Sequence, residues 1–296
     1  MNLNLISKII LKIISIIIRP FIRDGYKRMS YLRYMQELGF SILPQRYCEP
    51  IPLVIDIDSS TKIPKLIMDN IPKSEFEDEI KEKFLNKKYL DDFKNFISPI
   101  AYNKMFNGFD AFIYREIIKK YNPQKIIEIG AGYSTYISIN SINKSANIYC
   151  VEPYPSKFLE ELIFNNKDKA KLINRRIQDF YEDEIFYSLN SNDILFVDST
   201  HVTLIGGDLP TIFLKILPKI NNNLLIHFHD VSIPYEYPRK LIFKSGRFYN
   251  ELYMVANLIS NCNYSFIFGS YRFLLDQCLL DESDLFKFGL SVWLKI

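Results

Sequence analysis

The chain has 296 residues, which suits one large domain or one domain with an extension. Hydrophobic residues make up 48% of it and charged residues 24%, which excludes a disordered or collagen-like protein. The net charge is +3, but residues 1–36 hold seven basic residues and one acidic residue, which leaves −3 for the rest. A basic leader on a weakly acidic body argues against a broad nucleic-acid-binding surface and for an anionic partner at the N-terminal end.

The first pattern along the chain is an apolar run at residues 5–18. A spanning helix needs about 20 mostly apolar residues, and a signal peptide needs a small-residue cleavage site that the following sequence lacks. At about 100° per residue, the polar positions share one arc of about 80° on a helix: Asn4, Lys8, Lys12, Ser15 and Arg19. The pattern favours an amphipathic helix over residues 1–24. Residues 1–20 would contact either the inner face of the cytoplasmic membrane, or the protein's own body or a second copy in a homo-oligomer.

Residues 25–104 contain many prolines and weak periodicity, which predicts an accessory region that shapes access to the main domain. Helices are predicted at about 26–38, 75–86 and 89–97, and a strand at 51–58. The four cysteines are widely spaced and form no CxxC pair, so they indicate reduced thiols of a cytoplasmic protein, not a disulfide frame or a zinc site: Cys48, Cys150, Cys262 and Cys278.

Residues 105–296 alternate short apolar strands with helices. Strands are predicted at 125–130, 147–153, 171–177, 193–199, 223–230, 264–270 and 290–296. Helices are predicted at 109–121, 133–142, 157–165, 208–220 and 250–260. This alternation implies a mostly parallel sheet covered on both faces. We therefore predict a doubly wound α/β domain with seven strands and an N-terminal accessory extension.

The first strand of this domain ends in a glycine-rich turn, EIGAGYS at residues 128–134, that runs directly into a helix. Glycines let the backbone approach a ligand closely, and the helix N-terminus offers free N–H groups. Thr135 stands where a dinucleotide fingerprint needs its third glycine, and a plain tight turn is the alternative. An acid at the end of the second strand is placed to hold a ribose. The candidate adenosine-binding residues are Glu128, Gly130, Ala131, Gly132, Tyr133, Ser134 and Glu152.

The chain has three histidines, and all follow the fourth and fifth predicted strands. Asp198 and His201 end the fourth strand, and His227, His229 and Asp230 end the fifth. Because the carboxyl ends of parallel strands share one edge of a sheet, these groups should converge beside the glycine turn. Weaker signals are acceptor-pocket candidates (Tyr235, Tyr237, Arg239) and helix caps (Asp208, Asn250 and Glu251).

Several motifs together resemble one family. EIGAGYST followed by YCVEP is similar to the first two motifs of class I S-adenosylmethionine-dependent methyltransferases. DILFVDSTHV, GGDL, HFHDVSIPYEYPR and RFYNELYMVANLI resemble the bacterial methyltransferase-24 branch, and GFSILPQRYCEPIP resembles its lead-in. The resemblance covers about residues 38–270. It implies a Rossmann-like fold and S-adenosylmethionine as methyl donor, and it does not identify the acceptor.

Within that frame, the polar cluster suggests a hydroxyl-activating site. Asp198, His229 and Asp230 offer carboxylate and imidazole ligands for Mg²⁺ or Mn²⁺, and the layout resembles metal-dependent sugar and macrolide methyltransferases, which have a second carboxylate where His229 stands. His201 is the expected general base, because an imidazole pKa lies near neutrality. Asp198 and Asp179 complete the donor-binding set, with Asp179 facing the adenine or lying in an exposed turn.

The predicted function is O-methylation of a hydroxyl on a small-molecule or lipid-linked sugar, in a bacterial surface glycan or a related metabolite. The expected location is cytoplasmic or peripheral on the inner face of the cytoplasmic membrane, with no nucleic-acid partner. A metal-dependent hydroxylase or hydrolase that uses the histidines and aspartates is one alternative. A non-catalytic, membrane-associated scaffold for glycan assembly is another.

Overall fold

The structure is a computed structural model that describes residues 5–23, 34, 38, 71, 74–103, 105–220, 223–238, 241–242, 247–261, 264–281 and 283–296. The chain divides into two units, Met1–Asp58 and Ser59–Ile296. The predicted strand at 51–58, Arg239, Cys48 and Cys262 lie outside the described residues, as does most of the predicted helix at 26–38. The domain boundaries at residues 24 and 104 stay predictions.

In the first unit, helix α1 spans Leu5–Arg23 and contains no acidic residue. Its described apolar side chains are all solvent-exposed, as Leu5 and Ile16 illustrate at 73% and 62%. Within the part of the chain that the structure describes, no helix is both long and apolar enough to cross a membrane. The amphipathic character predicted for this segment is therefore carried by a helix whose apolar side chains are open to solvent.

The second unit is an α/β domain. Its helices are α2 (Glu75–Leu85), α3 (Lys87–Ile97), α4 (Gly108–Tyr121), α5 (Tyr133–Ser141), α6 (Lys157–Phe164), α7 (Glu184–Tyr187), α8 (Asp208–Thr211), α9 (Glu251–Asn261) and α10 (Ser270–Asp276). Its strands are β1 (Lys125–Ile129), β2 (Asn147–Val151), β3 (Ala170–Ile173), β4 (Ile194–Val197), β5 (Leu225–Phe228), β6 (Ser265–Gly269) and β7 (Val292–Lys295).

The seven strands form one sheet in the order β3-β2-β1-β4-β5-β7-β6. The pairings among β1 to β5 are parallel, and β7 runs antiparallel to both β5 and β6. The predicted doubly wound, mostly parallel sheet is confirmed. Chain order reverses between β1 and β4, and in such sheets the crevice at the carboxyl ends of these two strands is the usual ligand site.

Along β1, side chains alternate between the two faces of the sheet. Ile126 and Glu128 of β1 face one buried layer, and Ile127 and Ile129 face the other. The strand register aligns Glu128 with Phe196 of β4 and His227 of β5 in one row. Because this row faces the layer of α4, its polar members lie in the interior and need internal partners.

The predicted accessory helices pack on this same layer. Phe84 of α2 contacts Phe109 of α4 edge-on at 4.9 Å, and Phe93 of α3 contacts Phe112 at 5.2 Å. All four rings are buried, so α2 and α3 belong to the hydrophobic core of the second unit.

One predicted helix is wrong in part. The segment 208–220 forms α8, then a π-helical turn at Ile212–Ile216, then a 3₁₀ turn at Leu217–Lys219. Pro218 lacks the N–H that a continuing α-helix requires, so the hydrogen-bonding pattern changes before it.

Candidate active site

Gly130 occupies the tightest point of the glycine turn. Its φ is +82°, and a Cβ placed there would overlap the backbone carbonyl of Asp198. The Gly130 N–H donates to the carbonyl of Val151 at 3.0 Å, and the Asp198 N–H donates to Ile129 at 2.9 Å. Only glycine fits both the left-handed backbone and the close approach of β4, so this turn sets the distance between the ends of β1 and β4.

Gly132, two residues later, faces open space. A Cβ on it would meet nothing within 4 Å, and its φ of 179° lies outside the left-handed region. Its N–H donates to the hydroxyl of Thr135 at 3.2 Å, and α5 begins at the next residue. The turn and the first N–H groups of α5 therefore face a space that a ligand can occupy.

Glu128 supports the turn from behind and does not line the cavity. Its carboxylate is fully buried and accepts hydrogen bonds from Tyr114 Oη at 3.0 Å and Thr135 Oγ1 at 2.5 Å. Burial raises the pKa of this carboxyl. The prediction that Glu128 touches the donor needs correction, because this side chain points inward from a strand that is buried on both faces. Glu128 holds the Thr135 hydroxyl, which in turn accepts the Gly132 N–H.

Glu152 and Asp179 were both predicted to contact the donor, and the structure separates them. Glu152 follows β2 and lines the cavity, where Oε1 accepts from the Tyr154 N–H at 2.8 Å. Asp179 lies outside the cavity and pairs with Arg176 at 2.8 Å. That pairing lowers the pKa of Asp179. The 3₁₀ turn at Ile177–Asp179 turns its carboxylate back toward the arginine three residues earlier.

One cavity of about 570 Å³ joins the glycine turn to the polar cluster predicted from the sequence. Residues 130–134 and Glu152 line it, together with Asp198, His201, His229 and Asp230. A volume in this range is typical of small-molecule and cofactor sites. The ends of β1, β2, β4 and β5 thus contribute to a single space, as the sheet order requires.

Within the cluster, Asp198 lies between two imidazoles. Its Oδ1 is 3.3 Å from His201 Nε2 and 3.3 Å from His229 Nδ1. The carboxylate of Asp230 lies 3.8 Å from His201 and 3.9 Å from His229. His201 and Asp230 have left-handed backbones, with φ of +60° and +53°, a conformation that costs energy for residues other than glycine and that concentrates at functional sites.

Two further carboxylates, not predicted as site residues from the sequence, lie beside the imidazoles. Glu251 Oε2 is 2.9 Å from His201 Nδ1, and Asp110 Oδ2 is 3.7 Å from His229 Nε2. The sequence pattern identified Glu251 only as a helix cap, because it lies 50 residues from His201 along the chain. Asp110 sits in the first turn of α4, where an acid is also expected for capping alone.

The charges of the histidines differ from expectation. Burial alone would lower the pKa of His201, but the carboxylates of Asp198 and Glu251 outweigh it and raise the pKa to about 10. Burial is likewise outweighed at His229, where chiefly Asp198 and Asp230 raise the pKa to about 9. The expectation of a near-neutral His201 is therefore wrong for the metal-free protein, because three acids surround this ring.

His227 is a core residue. Its ring is fully buried, stacks on Phe196 at 4.0 Å and bonds to Ser291 Oγ at 2.9 Å. Burial lowers its pKa well below the ordinary value, so the ring is neutral. Tyr237, predicted for the acceptor pocket, is also structural, since its hydroxyl accepts the Leu252 N–H at 3.1 Å.

Two further residues line the cavity near Asp230. Arg247 and Tyr249 line it, and Arg247 lies 3.5 Å from Asp230 Oδ2. Asp208 holds the loop before His201, because its carboxylate accepts from the Thr200 N–H at 2.9 Å and from the Thr200 hydroxyl at 2.7 Å.

The donor set of the cluster fits a divalent cation. Asp198, His201 and His229 each offer one ligand atom, and these atoms lie within 4.8 Å of one another. This set differs from the predicted one by containing His201 in place of Asp230. One carboxylate with two imidazoles suits Mn²⁺, Fe²⁺ or Zn²⁺ better than Mg²⁺, which prefers oxygen ligands.

Comparisons with known proteins address the fold and the family. Residues 127–231 match the family model described as "Methyltransferase domain" of the methyltransferase-24 type. An uncharacterized protein of Archaeoglobus fulgidus is 37% identical over 81 residues, which are 26% of this chain; the chain spans 36% of that relative's length.

Solved structures also align with this chain. An O-methyltransferase from Bacillus cereus in complex with SAH is 12% identical, with a TM-score of 0.43 over 76% of this chain and 91% of that one. The O-methyltransferase TomG from Streptomyces achromogenes, involved in tomaymycin synthesis and solved with SAM, is 11% identical, with a TM-score of 0.43 over 78% and 99% of the two chains.

The strand order is that of a Rossmann-like methyltransferase fold, and residues 127–231 match the methyltransferase-domain family model. The matched segment contains the end of β1, the glycine turn, Asp198, His201, His229 and Asp230. The methyltransferase-24 resemblance read from the sequence motifs is confirmed by this match.

Proposed function

We propose that this protein transfers a methyl group from S-adenosylmethionine to a hydroxyl oxygen of an acceptor. The observation that carries the proposal is the shared cavity, because the glycine turn and the cluster of Asp198, His201 and His229 line the same space. Methyl transfer is an in-line displacement, which needs donor and acceptor held in contact and a group to receive the acceptor's proton.

The glycine turn is the donor end in this proposal. S-adenosylmethionine supplies a methyl group made electrophilic by its sulfonium. The backbone of Gly130–Gly132 and the first N–H groups of α5 would bind it from one side. Glu152 would bind the ribose hydroxyls: among the described residues it makes one side-chain hydrogen bond, through Oε1, which leaves Oε2 to accept another.

At the acceptor end, the proposal includes a divalent cation held by Asp198, His201 and His229. Such a cation would lower the pKa of an acceptor hydroxyl. Two roles of His201 then exclude one another, because a ring that gives Nε2 to a metal cannot use it as a base. The spacing of the three ligand atoms favours the ligand role. Asp230, 3.8 Å from His201 Nε2, is then the carboxylate placed to take the proton.

For the acceptor itself, we propose a sugar hydroxyl on a surface glycan or a related metabolite, free or lipid-linked. The resemblance of the Asp198–His201 spacing to sugar and macrolide methyltransferases supports this class. The exposed, acid-free helix α1 supports a peripheral position on an anionic membrane surface, where a lipid-linked acceptor would be found.

The composition of the cluster favours a second candidate, a metal-dependent hydroxylase. Two imidazoles and one carboxylate also form the ligand set of non-haem Fe(II) oxygenases. This candidate needs no methyl donor, so the two functions differ in what the glycine turn binds.

Calorimetric titration with S-adenosylhomocysteine, in chelator and again with Mn²⁺, tests the proposal. The methyltransferase predicts saturable binding under at least one condition and loss of that binding in Gly132→Val. Binding of Mn²⁺ or Fe²⁺ without any binding of S-adenosylhomocysteine or S-adenosylmethionine would contradict it and leave the hydroxylase.

A further inference from the structure

Glu251 makes one side-chain hydrogen bond among the described residues, and its partner is His201. The residue opens α9, its side chain is fully buried, and Oε2 lies 2.9 Å from His201 Nδ1. A buried carboxylate is costly unless a charged or strongly hydrogen-bonded partner compensates it. At this position the imidazole is that partner.

The same turn of α9 also holds the backbone of His201. The N–H groups of Asn250 and Glu251 both donate to the His201 carbonyl, at 3.0 and 3.3 Å. Asn250 Oδ1 accepts the Thr203 N–H at 2.6 Å, and the Tyr249 ring packs on the imidazole with centroids 4.6 Å apart. His201 is thus fixed at its carbonyl, at its ring face and at Nδ1 by three consecutive residues, which explains how it keeps a left-handed backbone.

The orientation of the ring follows from these contacts. An imidazole can rotate about its Cβ–Cγ bond, and whichever nitrogen donates to the buried carboxylate turns the other one away from it. With Nδ1 on Glu251, Nε2 faces Asp198 at 3.3 Å, on the side that lines the cavity. Carboxylates behind metal-binding or catalytic histidines commonly fix the ring in this way.

We propose that Glu251 is a positioning residue: it binds the Nδ1–H of His201 and thereby makes Nε2 the atom that His201 presents to the cavity. The hydrogen bond between Glu251 and His201 does not depend on the proposed function. Only the role of Nε2 in the cavity rests on that function. Asp110 does not orient the His229 ring in this way, because its carboxylate lies 3.7 Å from Nε2, which is too far for a direct hydrogen bond.

NMR of the whole protein labelled with ¹⁵N-histidine tests this, because the chain has only three histidines. Spectra are recorded in chelator with saturating S-adenosylhomocysteine, and His201→Gln assigns the His201 signals. We expect a solvent-protected, downfield-shifted Nδ1–H on His201. In Glu251→Gln, which replaces a charged acceptor by a neutral one, this proton should move upfield and exchange faster.

Asn250→Ala is the matched control, because it removes the neighbouring loop contact without touching the imidazole. The proposal requires that the Nδ1–H signal survive in Asn250→Ala and change in Glu251→Gln. An equal change in both variants means that Glu251 merely anchors the loop and overturns the proposal. If Glu251→Gln does not fold, the wild-type spectrum decides: an unprotonated Nδ1 on His201 overturns the proposal. If the wild-type protein does not bind S-adenosylhomocysteine, only the proposed function is contradicted, because the spectra can also be recorded without this ligand.

Discussion

Gly130 and Gly132 lie in the same turn but differ in whether a larger side chain fits. Substitution should therefore affect stability at one and ligand binding at the other. Gly132→Val should leave the fold intact, because its Cβ enters open space and its φ lies outside the left-handed region. The added side chain would occupy the space proposed for the donor, so S-adenosylhomocysteine affinity should fall at least about 100-fold, or about 2.7 kcal/mol. Calorimetry on a variant with a wild-type melting temperature measures this. Unchanged affinity in a folded variant would contradict the proposed position of the donor.

Gly130→Ala is the contrasting variant. Its Cβ would overlap the Asp198 carbonyl, and its φ of +82° is unfavourable for alanine. We expect a loss of unfolding free energy of about 2 kcal/mol or more, measured by urea denaturation.

The histidine charges give a pH dependence of stability. The folded-state pKa values of His201 and His229, about 10 and about 9, lie above the ordinary value, so the folded protein binds protons that the unfolded chain has released. Their stabilisation is fully present below about pH 6.5 and is lost as the pH rises through 9 to 10. In chelator, the unfolding free energy should fall between pH 7 and 10, by at least about 2 kcal/mol more in wild type than in the His201→Gln/His229→Gln double variant. Parallel pH profiles of the two proteins would show that these rings are neutral in the fold.

Metal affinity distinguishes the two ligand sets. If Asp198, His201 and His229 hold the cation, His201→Gln should weaken Mn²⁺ binding at least about tenfold, because a ligand is lost, and Asp230→Asn should weaken it less. Isothermal titration with Mn²⁺ alone measures both. The reverse order would restore the set of Asp198, His229 and Asp230 predicted from the sequence.

At single positions, the sequence predicted well which groups converge at the site. It predicted less well which partners each side chain contacts. Asp198, His201, His229 and Asp230 follow from strand ends, because the sheet brings those ends together whatever the side chains do. The environment of Glu128 and the pairing of Asp179 depend on side-chain direction within a turn or a buried row. The role of Glu251 depends on a contact across 50 residues, for which one sequence carries no signal.

At the level of elements, one buried aspartate ties the amino-terminal ends of β1 and β4. Asp193 accepts three backbone N–H groups, from Gln124, Lys125 and Asn190, at 2.8–3.0 Å. Asp193→Ala should lower the unfolding free energy by about 3 kcal/mol, because each buried donor loses its acceptor. Asp193→Asn, which keeps one oxygen, should cost less.

Urea denaturation of the two variants checks this, and S-adenosylhomocysteine affinity is the internal control. The affinity should stay at the wild-type value, since Asp193 lies at the opposite end of the strands from the cavity. A stability loss below about 1 kcal/mol in Asp193→Ala would show that water replaces the carboxylate at these donors.

Strand and helix positions in the second unit were predictable because the apolar runs are short and separated by clear breakers. Their ends were not. The third strand stops at Ile173 and not at residue 177, and helix α10 was not predicted at all. Helix α10 follows β6 without a loop, at the glycine that ends the strand. The first five of its seven residues are all buried, including the polar Ser270 and Arg272, so the helix has no amphipathic period to detect.

At the scale of the whole molecule, the site lies where the order of strands reverses. Chain order runs outward from β1 to β3 on one side and from β4 to β5 on the other, so the turns after β1 and β4 diverge and leave a crevice. The glycine turn and Asp198 line that crevice from its two sides, which is why the alternation of elements alone was enough to predict their proximity.

Helix α1 gives the last test, which concerns where the protein works. A helix with exposed isoleucines and leucines, basic residues and no acid should bind an anionic bilayer surface. We expect the full-length protein to co-sediment with phosphatidylglycerol vesicles and not with phosphatidylcholine vesicles. Deletion of residues 1–20 should abolish this and leave S-adenosylhomocysteine affinity unchanged. Lys8→Gln/Lys12→Gln should weaken vesicle binding about tenfold or more, since each basic residue near such a surface contributes about 1 kcal/mol. The same change at Lys87 and Lys88, exposed on α3, should have little effect. If the full-length protein stays in the supernatant at low salt and instead shows concentration-dependent association in sedimentation velocity, α1 binds a second copy of the chain and the membrane proposal is wrong.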